Sequence, residues 1–222
     1  MRRRTYLSLV GSAAAAGTAG CLGVLGGDDT PTVLPEPDHE YDASALPYPA
    51  WGERVPDATV PAALGDATVS TRETETPALY TFFYSHCQTV CPVLVSTLRN
   101  IQTHAANNGY ADDIALRPVT FDPERDTADR LASYGERMHV DTDADNWTFL
   151  RPAGVDRAKA VVTDDFGVTF KRTHPEDMAQ YMFSHAALTV LVNADGYVER
   201  TYRSKSPDEQ QLIADLETVR QA

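Results

Sequence analysis

Cys87 and Cys91 stand four positions apart in the stretch Tyr80 to Gln102, which runs apolar and aromatic up to the pair and turns helical after it. Two thiolates at that spacing can bind a soft metal ion or close a disulfide. Pro92 suits the first position of a helix, which puts Cys91 at or beside the N-cap and Cys87 one loop earlier. Unpaired backbone N–H groups and the positive end of the helix dipole favour thiolates at such a place. The plainer alternatives are a stabilising disulfide and a pair of small buried hydrophobes.

The surrounding pattern says what must position them. Ala78 to Tyr84 is a continuous apolar, β-rich run, the mark of a strand covered on both faces. From Pro92 to about Asn107 the apolar residues recur at helical spacing, and Gly109 suits the stop. Ile114 to Phe121 reads as a second strand, Thr127 to Met138 as a helix, Trp147 to Leu150 as a short strand and Val155 to Asp165 as a helix. Leu188 to Val192 and Tyr197 to Tyr202 form a hairpin about Asp195-Gly196, and Pro207 to Arg220 closes the chain with an amphipathic helix. Strand and helix alternate, then a hairpin and a last helix follow. That order predicts an α/β domain with a mixed central sheet and helices on both faces, as in a thioredoxin-like fold. In that fold the reactive group lies where the first central strand gives way to its helix, the place of Cys87 and Cys91.

A C-x-x-x-C spacing is one residue wider than that of thiol oxidoreductases. Two further stretches sharpen it: VTFDPERDTADRL, Val119 to Leu131, at the end of the second strand, and FSHAALTVLVNADGYVERTY, with His185 ahead of the late hairpin. Together with Cys87, Cys91 and Pro92 these resemble the Sco/SenC family of copper-binding, thioredoxin-like assembly proteins, from about Asp57 to Val219. The string DPERDT stands unaltered from Asp122 to Thr127, whereas Gln88, Thr89 and Val90 depart from the family's usual residues between the cysteines. The resemblance implies copper, Cu(I) or Cu(II), held by Cys87, Cys91 and His185. Two thiolates and an imidazole suit that ion better than a hard cation, and no fourth Cys or His stands nearby to close a zinc site. Thioredoxins carry a proline in the loop facing the cysteine pair; Ser184-His185-Ala186-Ala187 has none.

Other residues carry weaker expectations. Asp122 is a candidate to stand behind the metal and orient its ligands, or a turn residue at a strand end. Asp126 and Thr127 read as helix-capping residues. Met178 and Met182 read as core or gap fillers more than as soft ligands. His86 is expected to point away from its neighbour Cys87.

The chain has 222 residues, 32 acidic and 19 basic, a formal charge of -13. An evenly acidic, Lys-poor surface offers no basic face for phosphates, which excludes a nucleic-acid partner, and suits high salt, where self-repulsion is screened. Residues 1 to 21 read as an export signal: Arg2, Arg3 and Arg4 resemble a twin-arginine leader, and Thr18 to Cys21 resembles a lipobox. Lipidation at Cys21 would hold the protein at the outer face of the cytoplasmic membrane; an uncleaved anchor is the alternative. Residues 22 to 56, rich in Gly, Pro and acids, read as a flexible tether, and 57 to 222 as the domain.

The resemblance implies a membrane-tethered metallochaperone that delivers copper to the copper-centre subunit of a respiratory terminal oxidase. The same cysteines also suit an exported thiol–disulfide reductase acting on that target, and, less well, a thiol peroxidase. His185 separates the first reading from the second, because disulfide exchange does not need it.

Overall fold

The computed structural model describes residues 31–38 and 45–222. Cys21, the leader and the first part of the expected tether lie outside them. Strand β3 (Ala78–Phe83) is buried at every residue and forms the middle of a four-stranded sheet of order β4-β3-β7-β8. Strand β4 (Ala115–Thr120) lies parallel to β3, from Ala78 opposite Ala115 to Phe83 opposite Thr120. Strand β7 (Thr189–Val192) is antiparallel to β3, and β8 (Val198–Tyr202) antiparallel to β7. The sheet is therefore mixed, as the element order predicts.

Alternate residues of a strand face opposite sides, so β3 shows which elements cover each face. Phe83 stacks on Tyr134 of helix α2 (Ala128–Arg137) at 5.5 Å between ring centroids. Tyr80 and Phe82 share the ring of Phe166, which follows helix α3 (Val155–Lys159), at 5.9 and 5.0 Å. Helical segments thus cover both faces. Helix α1 (Val90–Asn108) joins β3 to β4 and ends at Gly109 in the left-handed region, where glycine has no Cβ to strain. Helix α4 (Glu209–Arg220) packs beside α1, capped by the Asp208 carboxylate. No helix among the described residues is long and apolar enough to cross a membrane.

Several expectations are corrected. The strand expected at Trp147 to Leu150 is reduced to two parallel bridges, Trp147 to Leu116 and Leu150 to Val119, along the free edge of β4. The helix expected from Val155 to Asp165 relaxes after Lys159 into a π-helical turn, Ala160–Asp165, closed by Phe166 N–H donating to the Val161 carbonyl. Two short hairpins were not legible: β1 (Thr59–Pro61) with β2 (Thr68–Ser70), and β5 (Phe170–Thr173) with β6 (Met182–His185).

The stretch from 22 to 56, expected as a flexible tether, packs against the domain over its described residues. Leu34, Ala50 and Val55 are buried. The Glu199 carboxylate, fully buried on β8, accepts the backbone N–H groups of Val33 and Leu34, and Asn193 Nδ2 donates to the Pro31 carbonyl at 2.8 Å. Residues 52 to 55 hydrogen-bond to Gly196 and Val198, covering that edge of the sheet. Composition reads as tether here because Pro and Gly suit irregular packed chain as well as loose chain.

Candidate metal centre at the strand–helix junction

The chain leaves β3 at Tyr84 and turns at once, with Cys87 N–H donating to the Tyr84 carbonyl at 3.2 Å. Helix α1 begins two residues earlier than Pro92 predicts: Val90 is its first residue, so Cys91 lies within the first turn rather than at the cap. Proline is tolerated at the third position because first-turn N–H groups have no partner inside the helix. Thr89 occupies the cap position without capping by its side chain. Instead Cys91 N–H donates to Cys87 Sγ at 3.4 Å, a sulfur taking a place usually held by oxygen.

His185 comes from the other side, as the last paired residue of β6, opposite Phe170. Its ring lies 5.1 Å from Phe121 and edge-on to Tyr84 at 6.1 Å. The Ala186 carbonyl can only accept, so the 2.9 Å contact puts the proton on His185 Nδ1. Nε2 is then the lone-pair nitrogen, and it stands 3.4 Å from Cys91 Sγ. The three expected ligands come together: their donor atoms all lie within 4.8 Å of one another. Both thiols are free. Two sulfurs and a tautomer-fixed imidazole nitrogen are a donor set for a soft or borderline ion such as copper.

The thiols differ in acidity. Cys87 is pulled down to about 3, chiefly by the Cys91 side chain hydrogen-bonding to it, then by His185 and the N–H groups of Cys91 and Thr89, against its burial. Cys91 is fully buried, and burial followed by the neighbouring Cys87 pushes it far up. The pair therefore carries one thiolate, on Cys87. Burial also raises the Tyr84 hydroxyl to about 12.

Asp122, a candidate to orient the ligands, is buried, yet it hydrogen-bonds to none of the three. Its Oδ2 accepts from Arg125 Nε at 2.6 Å and its Oδ1 from the Tyr181 hydroxyl at 2.8 Å. It acts on the segment leading into β6. Of the two residues expected to cap α2, only Thr127 does so, accepting from Arg130 N–H. Asp126 instead points inward and accepts from the Ser85 backbone and hydroxyl and from the Thr120 hydroxyl. That buried clamp on the loop before Cys87 was missed; the only signal was a second acid in a string already rich in them. His86 turns toward Ser85 Oγ and Asp126, 3.3 and 3.7 Å away. The His86, Asp122 and Asp126 donor atoms also cluster within 4.8 Å, but both carboxylates are already occupied by the partners above. Met182 packs on the core from β6, and Met178 is exposed.

Comparison with known proteins agrees with this geometry. The SCO1/SenC family model matches residues 63–221. A SCO2-like protein of Rickettsia conorii is 30% identical over 134 residues, 60% of this chain and 61% of that protein. The SCO1 protein homolog of Bacillus subtilis is 24% identical over 141 residues, 62% of this chain and 68% of its own length. The match thus spans about three-fifths of the Rickettsia relative's length. Among solved structures, Bradyrhizobium japonicum ScoI with copper bound superposes with a TM-score of 0.58 at 21% identity, covering 75% of this chain and 99% of that one. A SCO1/SenC family lipoprotein from Bacillus anthracis gives 0.61 at 18% identity, covering 78% and 96%. With the family model matched over most of its length, including the cysteine pair and the late histidine, the chain belongs to the SCO1/SenC family.

Proposed function

We propose that the protein is a copper metallochaperone that carries one copper ion on Cys87, Cys91 and His185 and gives it to the copper-centre subunit of a respiratory terminal oxidase. The convergence of those three donor atoms within 4.8 Å carries this reading. Copper-bound structures of its neighbours from Bradyrhizobium japonicum, Arabidopsis thaliana and yeast support copper as the cargo. A neighbour described as a member of the Sco family of cytochrome c oxidase assembly proteins supports an oxidase as the recipient. Three protein donors leave room for a fourth from the recipient, so the ion can pass by ligand exchange without being released to water. The N-terminal motifs, Arg2 to Arg4 and Thr18 to Cys21, support export and lipid attachment at the outer face of the cytoplasmic membrane. Cys21→Ser should then shift the protein from the membrane to the soluble fraction.

The deciding experiment is metal analysis of purified protein, wild type against His185→Ala. The wild type should hold about one copper per chain. The variant should lose Cu(II) and keep part of its Cu(I) on the two thiolates. A wild-type protein that takes up no copper when reduced would overturn the proposal.

The depressed Cys87 thiol favours a second reading, a thiol–disulfide reductase that prepares the recipient's cysteines. It requires Cys87 and Cys91 but not His185. A His185→Ala strain with normal oxidase levels, beside a deficient Cys87→Ser strain, would make that the function.

A further inference from the structure

His185 rides on a two-stranded hairpin that shares no ladder with the four-stranded sheet. A lone hairpin is marginal in water, so side-chain contacts must fix its place. One set is aromatic: Phe170 stacks on Phe121 at 4.8 Å, and Phe183 packs edge-on to Phe121 and Tyr84. The other set centres on Tyr181, the residue before β6. The guanidinium carbon of Arg125 lies 3.6 Å from its ring centroid and that of Arg172 lies 4.0 Å away. Two such groups that close to one centroid cannot share a face, so the ring is held between them. The Tyr181 hydroxyl donates to Asp122, while Arg125 binds Asp122 through Nε and the Tyr181 carbonyl through Nη1 at 2.8 Å. Arg172 is tied in turn to Glu124. Three residues of the Asp122-Pro123-Glu124-Arg125 string thereby converge on one ring, four positions before the histidine.

We propose that Tyr181, gripped by Arg125 and Asp122, is a latch that holds His185 Nε2 against Cys91 and so sets whether copper sees two ligands or three. This rests on His185 being a copper ligand. Tyr181 and Arg125 are positioning residues and touch none of the three ligands by any hydrogen bond. With the latch closed, the imidazole is pre-placed and Cu(II) is held well. With it open, the ion rests on two thiolates, a set that suits Cu(I). A recipient that displaced Tyr181 would loosen the ion without touching it.

The test compares wild type, Tyr181→Ala, Tyr181→Phe and Arg125→Lys. In metal-free protein, hydrogen exchange should speed at Phe183 to His185 by about tenfold or more in Tyr181→Ala, with β3 and β7 unchanged. Tyr181→Phe, which keeps the stacked ring and loses the hydroxyl, should fall between. Chelator competition should show Cu(II) affinity falling by roughly 10–100-fold in Tyr181→Ala, the range seen when a ligand loses the contact that orients it. Cu(I) affinity should stay near wild type. Arg125→Lys keeps the charge but not the fork, and should restore little. Unchanged exchange in the hairpin, or equal losses of Cu(I) and Cu(II) in a folded variant, would overturn the latch. Failure of the wild type to bind copper would overturn the function proposed above instead, and the exchange comparison would still decide the latch.

Discussion

The carboxylate of Asp126 accepts the backbone N–H of Ser85 at 3.0 Å, joining the end of the DPERDT string to the loop two residues before Cys87. The same carboxylate takes the Ser85 and Thr120 hydroxyls, and Arg130 grips Ser85 from outside through both its hydroxyl and its carbonyl. The loop that aims Cys87 is therefore tied to the neighbouring strand by one buried acid, whose own acidity burial weakens.

Asp126→Ala would leave these donors without a partner in a buried place. The metal-free protein should lose at least about 2 kcal/mol in urea denaturation, since each stranded buried group costs about 1–3 kcal/mol. Asp126→Asn, which keeps an acceptor, should lose less. A loss under about 0.5 kcal/mol for the alanine variant would mean the clamp is not holding the loop.

The thiol pair gives a pH dependence with a definite sign. Cys87 lies at about 3, against an ordinary value of 9.0, so it adds stability that is complete above pH 9 and is lost as pH falls toward 3. Cys91, pushed upward, stays protonated in both folded and unfolded protein up to about pH 8 and adds no slope below that. The stability advantage of wild type over Cys87→Ser should shrink steadily on acidification. Alkylation of Cys87 should keep a nearly constant rate from about pH 5 to about pH 8, with Cys91 unlabelled. A rate dropping tenfold per pH unit across that range would mean an ordinary thiol.

Copper and a Cys87–Cys91 disulfide should exclude each other. Joining the sulfurs removes two electrons and the one proton still held on Cys91, and leaves no thiolate to bind metal. Oxidised protein should therefore bind little copper, and about one equivalent after reduction, by metal analysis beside thiol titration. Full loading with the disulfide intact would remove the site from consideration.

Gly167 should tolerate no side chain. Its φ is 68°, and a Cβ there would come within 1.7 Å of the Pro47 carbonyl oxygen. Gly167→Ala should cost more than about 1 kcal/mol and lower Tm by at least about 2–4 °C. Proteolysis should open first between residues 45 and 56. A variant that melts with wild type would show that this segment is not seated on the turn.

The central strands, the long helices and the late hairpin were legible because each follows one period over enough residues to be read. Ala78 to Phe83 is uniformly apolar, and α1 repeats every three to four residues. The three ligands were legible because cysteine and histidine are scarce here and their chemistry is narrow. Strands β5 and β6 were not: four residues each, half exposed and joined through a His-Pro-containing loop, they carry no period that can be told from coil. Asp126 and Tyr181 were hidden for another reason. An acid among acids and a tyrosine in a loop gain their roles only from neighbours 41 and 59 residues away. The packing of residues 31 to 38 depends likewise on Glu199, a charge whose burial no local pattern announces.

The anchorage of Pro31 to Asn193 and the cysteine pair lie at opposite ends of the central strand. Asn193 follows Val192, which pairs with Ala78 at the start of β3, whereas the cysteines lie beyond Phe83 at its end. Six strand residues, about 20 Å, separate the two poles.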